Sequence, residues 1–405
     1  MTLEPAAAAV AMQRRTDVPL IAHVIHRLAV GGLENGLVNL INHIPANRYR
    51  HAVICLTDYD DFRARIARPD VEVYALHKAP GIRPGLYSAL YHLFKRLRPD
   101  VVHTRNLATV EAQLPAWLAG VPIRVHGEHG RDMHDVDNTR SRYRLLRRVL
   151  SPLVHEFIVL SQDLEQYLIR AVGVAPDKIT RIINGVDSER FAPRAHNQRD
   201  AVLPSGFATP QALLIGSVGR METVKDPLNL ARAFVHLHAQ RPDLAPRLRL
   251  VMIGDGPLLA DVRACLHQAG LLQQVWLSGA RDDIAALLPA LDLFVLPSQA
   301  EGISNTVLEA MACALPVIAT AVGGNVELVE AEVTGLLVPR ADPQALAHAM
   351  ARYCDDTKLR HAHGAAARAR IERDFSLARM VQCYVALYDR LLAEQSRNRG
   401  RVASL

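Results

Sequence analysis

No hydrophobic stretch in these 405 residues approaches 18 in a row, so no segment is expected to span a membrane. Cysteine is scarce. Cys55, Cys265, Cys313, Cys354 and Cys383 are odd in number, scattered and never spaced C-x-x-C, which argues against a disulfide framework and predicts buried thiols in a reducing compartment. Charge of one sign is also modest. A net +6 over this length argues against a dedicated nucleic-acid binder and leaves room for an anionic substrate or a membrane surface. Lysine is nearly missing. Among 47 basic residues only Lys78, Lys95, Lys178, Lys225 and Lys358 are lysine, so a lysine that persists is informative. The N-terminus places its basic pair, Arg14 and Arg15, after the short apolar run Ala6 to Met12, the reverse of a secretory signal, and a cytoplasmic location is expected.

What is present is a large core and a repeating pattern. Half the residues are hydrophobic, and the length predicts two domains. Apolar runs of strand length alternate with helical stretches. In the first half the strands are expected at Leu20–Ile25, Ala52–Leu56, Val71–Leu76, Asp100–His103, Ile123–His126, Phe157–Leu160 and Ile182–Gly185. From Phe191 to Gln211 the pattern lapses into prolines, glycine and polar residues, as expected of a linker. It restarts with strands at Leu213–Val218, Leu248–Ile253, Val275–Leu277, Leu293–Leu296, Pro316–Thr320 and Gly335–Val338. Two doubly wound, Rossmann-like α/β halves facing a central cleft are the expected architecture. The domains are expected at 1–195 and 196–375, with a C-terminal helix over 376–405 crossing back onto the first half.

The chain's chemistry concentrates at the carboxyl ends of the second-half strands. After strand 293–296 comes Gln299-Ala300-Glu301-Gly302-Ile303-Ser304-Asn305-Thr306-Val307-Leu308-Glu309. The turn Gly302–Asn305 opens a helix whose free N–H groups and dipole favour an anion. Glu301 and Glu309 bracket it and can accept from sugar hydroxyls, so the expected ligand is part phosphate, part sugar. Thr306 and Glu309 also spell a capping box, which would make Glu309 structural. Gly219-Arg220 leaves strand 213–218, with Lys225 five residues on. The glycine admits a close ligand, the guanidinium forks onto phosphate oxygens and the lysine adds a point charge. Gly254-Asp255-Gly256-Pro257, Ser278-Gly279-Ala280-Arg281 and Gly323-Gly324-Asn325-Val326-Glu327 fall at further strand ends, where Arg281 could flank a flat base. The D-x-D strings Asp58-Tyr59-Asp60 and Asp135-Val136-Asp137 are read as solvated loops, because the Arg–Lys pair already neutralises a diphosphate.

These four second-half motifs, in this order and spacing, resemble the retaining glycosyltransferases of family 4, which have the GT-B fold. Gly31-Gly32 and Asn184-Gly185-Val186-Asp187 with Phe191 extend the resemblance over nearly the whole chain. The subgroup most resembled is the sugar transferases of bacterial exopolysaccharide and PEP-CTERM systems. The resemblance implies a nucleotide-diphosphate sugar as donor, a glycan or lipid-linked acceptor, and no metal or other cofactor. It assigns Arg220 and Lys225 to the leaving diphosphate and Glu309 to the donor ribose. Glu301 and the turn Gly302, Ile303, Ser304, Asn305 and Thr306 would hold the donor sugar and phosphate. Gly31 and Gly32 would approach the diphosphate from the first half. A first-half histidine would lie under the transferred sugar. His126 and His129 both offer themselves, and the glycine turn after the strand favours His129. The rivals are a GT-B-fold nucleotide-sugar epimerase, a non-catalytic nucleotide-sugar binder and a dinucleotide dehydrogenase. The glycine spacing at Gly31-Gly32-x-x-x-Gly36 is wrong for the last.

Residues 139–150 hold five arginines beside Tyr143, Leu145, Leu146, Val149 and Leu150. At helical spacing the four aliphatic residues share one face, with Arg140, Arg144, Arg147 and Arg148 on another. Such a helix is expected either to lie on an anionic membrane or to be an ordinary amphipathic helix with a solvated basic face.

Overall fold

The computed structural model describes residues 18–79, 81, 84–130, 140–193 and 201–403. The chain forms two compact units, residues 1–183 with 380–405, and residues 184–379. The division thus falls after Ile183 rather than after 195, because Asn184 to Phe191 pack with the second unit. Val186 donates its amide to Phe375, and Arg368 donates to the carbonyls of Ser188 and Phe191.

Unit one is built on a parallel seven-stranded sheet. Its strands are β1 (Leu20–Ile25), β2 (Arg50–Cys55), β3 (Glu72–Ala75), β4 (Val101–Arg105), β5 (Ile123–Glu128), β6 (Glu156–Val159) and β7 (Ile179–Arg181), in the order β3-β2-β1-β4-β5-β6-β7. Its helices are α1 (Gly32–His43), α2 (Pro84–Leu97), α3 (Leu107–Val110), α4 (Gln113–Leu118), α5 (Ser141–Leu150) and α6 (Gln162–Tyr167). The strands are near-continuous apolar runs because helices cover both faces. On one face Ala22, Val24, Ile54 and Val102 pack under α2 and α4, with Leu90, Phe94 and Ala116. On the other, Ile25, Val53 and Cys55 pack with Leu37, Val38 and Ile41 of α1. Strand β7 lies at Ile179–Arg181, not at Ile182–Gly185. The apolar pair Ile182-Ile183 instead leads out of the sheet, Ile182 being held by one amide bond to Val159.

Unit two repeats the plan with six parallel strands: β8 (Leu213–Val218), β9 (Leu248–Ile253), β10 (Val275–Gly279), β11 (Leu293–Leu296), β12 (Val317–Thr320) and β13 (Gly335–Val338), in the order β10-β9-β8-β11-β12-β13. Its helices are α7 (Pro227–Gln240), α8 (Leu259–Gln268), α9 (Ile284–Leu287), α10 (Asn305–Ala312), α11 (Asn325–Leu328), α12 (Pro343–Asp355) and α13 (Thr357–Asp374). Ile215, Leu250, Val295 and Ile318 meet Phe234, Leu346 and Met350 in its core.

The last helix, α14 (Leu377–Ala403), belongs to unit one from Met380 onward. Three polar contacts fasten it there. The Tyr388 hydroxyl bonds His103 Nδ1 at 2.8 Å, Asp389 accepts from Arg48 and Tyr49, and Arg390 pairs with Glu156 at 3.0 Å. No helix among the described residues is long and apolar enough to cross a membrane.

Candidate functional site

In both sheets the strand order reverses once, between β1 and β4 and between β8 and β11. Open α/β sheets bind ligands outside the carboxyl ends of their strands at such switch points.

At the switch point of unit two, the segments after β8 and β11 meet. Lys225 Nζ donates to Glu301 Oε1 at 2.6 Å, and the buried Ser298 hydroxyl donates to the same oxygen at 2.6 Å. The Gln299 amide donates to the Val224 carbonyl at 2.8 Å, and its side chain to Asp226. Asp226 sits at φ 48° and caps α7. Two glycine loops hold this pair of segments from either side. A Cβ on Gly254, at φ 140°, would stand 1.9 Å from the Gly219 carbonyl oxygen, and one on Gly323, at φ 48°, 1.8 Å from that of Glu301. Only glycine permits either contact. Met221 N donates to the Asp255 carbonyl and Gly324 N to that of Gly302. The four sequence motifs are therefore one packed constellation. Gly219 opens it and Arg220 stands at its rim, 59% exposed, reaching Glu222 at 3.0 Å.

Gly302 and Ile303 carry the chain into α10. The cap of that helix is Ser304, whose Oγ accepts from Val307 N, and not Thr306. Thr306 lies within the first turn, its hydroxyl 3.1 Å from that of Ser304. The capping box expected between Thr306 and Glu309 therefore does not form: Glu309 sits one turn further along, half-buried. Asn305, the first helical residue, accepts from Asn184 Nδ2 at 2.8 Å. Arg281 follows the edge strand β10, where it pairs with Asp283 at 2.6 Å and lies over the Trp276 ring. It is not bonded to the Lys225–Glu301 pair.

At the switch point of unit one the polar groups are buried. Arg105, at the end of β4, is 2% exposed and forms no ion pair among the described residues. It donates to His23 Nδ1 at 3.1 Å and to His103 Nδ1 at 3.4 Å. A guanidinium only donates, so both rings carry their proton on Nε2. His23 Nε2–H then donates to His51 Nδ1 at 2.9 Å. Burial, reinforced by the Arg105 charge, pushes the His23 and His103 pKa values well below the usual imidazole range. Burial also brings His51 and His129 down to about 3, with Arg68 and Arg105 respectively as the next cause.

The two histidine candidates separate here. His126 is fully buried, with Nδ1 2.7 Å from Thr104 Oγ1 and Nε2 3.3 Å from Glu128. Glu128 is held at about pKa 2: burial opposes ionisation, but the Arg147 fork and His126 prevail. His129 is half-buried and its Nε2 has no partner among the described residues. Its amide donates at 2.7 Å to Asn106, a residue held at φ 59°. His103 Nε2 is likewise unpartnered, and both nitrogens lie within 3.2 Å of the point where a Gly127 Cβ would stand. Arg105 and Asn106 were not singled out from the sequence. Their signal was a polar Thr-Arg-Asn run directly after a buried strand.

Gly31 is the N-cap residue of α1 and Gly32 its first residue. No side chain caps that helix, and a Cβ on Gly31 would meet the Glu34 carboxylate. Asp60 caps a short 3₁₀ turn and Asp58 bonds the next amide, so the first D-x-D string makes structural contacts. Asp135-Val136-Asp137 lies outside the described residues. Among the described residues no group of three or more His, Cys, Asp or Glu is placed to hold a metal.

The helix over 141–150 departs from the expected faces. Leu146 and Leu150 pack inward with Leu107 and Val110, and Arg147 is buried against Glu128. Leu145 and Val149 stand outward, 60% and 64% exposed. Arg148 donates to the carbonyls of Ala171 and Val172. The inward face is set by the Glu128 carboxylate, which a helical projection alone does not contain.

Residues 30–190 match Glycosyltransferase Family 4, and residues 204–370 match Glycosyl transferases group 1. The chain is 30% identical over 379 residues to the UDP-Gal:alpha-D-GlcNAc-diphosphoundecaprenol alpha-1,3-galactosyltransferase of Escherichia coli, covering 91% of this chain and 96% of that one. It is 27% identical over 310 residues to the glycosyltransferase EpsF of Bacillus subtilis (strain 168), covering 74% and 78%. Its fold is that of Anabaena Alr3699/HepE, solved in complex with UDP and glucose, with a TM-score of 0.77 at 20% identity over 91% of this chain and 99% of that one.

Proposed function

This chain belongs to the glycosyltransferases with a GT-B fold, and from that premise we propose that it is a retaining, metal-independent enzyme. It moves a sugar from a nucleotide-diphosphate donor to a glycan or lipid-linked acceptor in exopolysaccharide or other cell-surface glycan synthesis. The observation that carries this reading is the Arg220–Lys225–Glu301 constellation, packed between two glycine loops beside the N-terminus of α10. The name of the Escherichia coli relative, which specifies a UDP-sugar and a diphosphoundecaprenol-linked acceptor, supports the two substrate classes.

In the reaction the bond between the anomeric carbon and the diphosphate oxygen breaks. A new bond forms from an acceptor hydroxyl, which gives up its proton. Charge builds on the departing diphosphate, where Arg220 and Lys225 neutralise it without a metal. The Lys225–Glu301 pair holds the ammonium in place before the donor arrives, and Glu301 Oε2 is left to accept from a sugar hydroxyl. Glu309, free of a capping-box role, is assigned to the donor ribose. His129, neutral and with an unpartnered Nε2, is the histidine assigned to the sugar. An epimerase would share the fold but would release a free donor isomer in place of a longer glycan.

The test is transfer from a panel of nucleotide sugars to a diphospholipid-linked sugar, with the product's anomeric configuration read by NMR. Retention of the donor configuration and full activity in EDTA are expected. An inverted product, or an absolute need for added divalent ion, would overturn the mechanism while leaving the fold assignment intact.

A further inference from the structure

Five of the eight large hydrophobic side chains exposed among the described residues lie on two neighbouring helices. They are Leu114, Trp117 and Leu118 of α4, and Leu145 and Val149 of α5. The placement follows from topology. Strands β3, β4, β5 and β6 succeed one another in one direction across the sheet, with β2 and β1 between the first two. Right-handed crossovers therefore put α2, α4 and α5 on one face. Helix α2 packs on α4, and α3 on α5, so the helices form a continuous layer. Between α2 and α4 opens a groove of about 460 Å³ lined by Tyr87, Ser88, Tyr91, Leu114, Pro115 and Leu118.

The charge on this layer is one-sided. Helices α2, α3, α4 and α5 contain no aspartate or glutamate. The one acid between them, Glu111, accepts from the Tyr87 hydroxyl at 3.0 Å. Lys95, Arg96, Arg142 and Arg148 are exposed around the apolar residues, and Arg144 is half-exposed. A second copy of this chain docking here face to face would set these cations against one another. A bilayer bearing anionic headgroups complements them. Trp and Tyr, apolar at one end and polar at the other, suit the headgroup boundary.

We propose that the outer surface of this helix layer beds on an anionic membrane, with Trp117, Leu145 and Val149 inserted at the headgroup boundary and the Tyr87–Tyr91–Leu118 groove taking a lipid chain. The assignment of that chain to the acceptor rests on the lipid-linked reading above. The surface differs from the one expected of residues 139–150 alone, since Arg147 faces inward and α4 supplies the tryptophan.

Flotation of the full chain with phosphatidylcholine vesicles containing phosphatidylglycerol tests it, beside vesicles of phosphatidylcholine alone. Binding is expected only to the anionic vesicles and should fall with salt. Trp117→Ala, and separately Leu145→Ser with Val149→Ser, should each lower the bound fraction by roughly ten-fold, the scale of losing one or two interfacial anchors. Val326→Ser with Val333→Ser, exposed residues of unit two, should leave it unchanged. In a Trp276→Phe background, Trp117 is the one remaining tryptophan, and its emission should shift to the blue on binding. Circular dichroism checks that each variant folds. No flotation at low salt, flotation indifferent to the Trp117 and Leu145/Val149 changes, or a dimer in sedimentation that those changes dissolve would each overturn the proposal. Failure of transfer to every acceptor while flotation persists would count against the proposed reaction and not against this surface.

Discussion

The two units share a parallel sheet and a single reversal of strand order, yet they furnish their switch points in opposite ways. Unit two sets accessible charge there: Arg220 at the rim and Lys225 paired with Glu301. Unit one sets a buried guanidinium among neutral imidazoles, with His23, His103 and Arg105 almost wholly out of water. A diphosphate is held by charge that meets it directly, which requires exposure. A sugar under reaction is better faced by neutral donors and acceptors in fixed tautomers, which requires burial and a network to fix them. The same architecture thus serves two kinds of chemistry, and the difference lies in what surrounds each strand end.

The sharpest break in this comparison comes from the exposed charges. Arg220→Ala or Lys225→Ala is expected to lower kcat by roughly 100-fold or more, the scale for deleting one preorganised charge from a transition state. Circular dichroism should remain native. Wild-type turnover in both variants would remove the charge assignment for unit two.

The buried imidazoles should reveal themselves through acid. Each of His23, His51, His103 and His129 has a folded-state pKa below its unfolded value of 6.5. The unfolded chain takes up protons that the folded one refuses. Stability is therefore complete above pH 6.5 and is lost as the pH falls from there toward about 3, the folded value for His51 and His129. The limiting slope is about 1.4 kcal/mol per pH unit for each histidine. Unit two contains one described histidine with a lowered pKa, His363. Calorimetry from about pH 7.5 to about pH 5 should show the unit-one transition moving down more steeply. Parallel shifts of both transitions would contradict the contrast drawn here.

Gly127→Ala probes the same network from inside. Its methyl would stand 2.6 Å from His129 Nε2 and 3.2 Å from His103 Nε2, so both rings must shift. Turnover should drop about ten-fold, as for a modest misplacement of reacting groups. Donor affinity, measured by calorimetric titration of the nucleotide sugar, should change far less, since the diphosphate site lies in unit two. An unchanged kcat would place His129 outside the reaction.

The smallest effect separates two neighbouring hydroxyls. Ser304→Ala should cost about 1 kcal/mol through loss of the α10 cap, and Thr306→Ala well under half of that. Urea denaturation of the two variants measures the difference. The reverse order would restore Thr306 as the cap and return Glu309 to a structural role.

Much of this molecule was legible without coordinates. Apolar runs at Leu213–Val218, Leu248–Ile253 and Leu293–Leu296 coincide with β8, β9 and β11 to the residue. A strand buried on both faces has no freedom in its composition. The glycine loops were legible because Gly254 and Gly323 occupy backbone conformations and contacts that admit no side chain, so their identity is dictated locally. What only the tertiary structure decided are matters of which side chain meets which. Leu145 and Leu146 are equivalent in a helical projection, and the distant Glu128, by drawing Arg147 inward, settled which faces the core. Thr306 and Ser304 are both competent caps, and the turn after Glu301, pinned by Gly324 against Gly302, settled where the helix begins. Arg105 reads in the sequence as one arginine among many. It became distinctive only when the sheet brought His23 beside it from β1 and helix α14 brought Tyr388, for a buried charge is defined by its neighbours, and these lie 82 residues away in one direction and nearly 300 in the other.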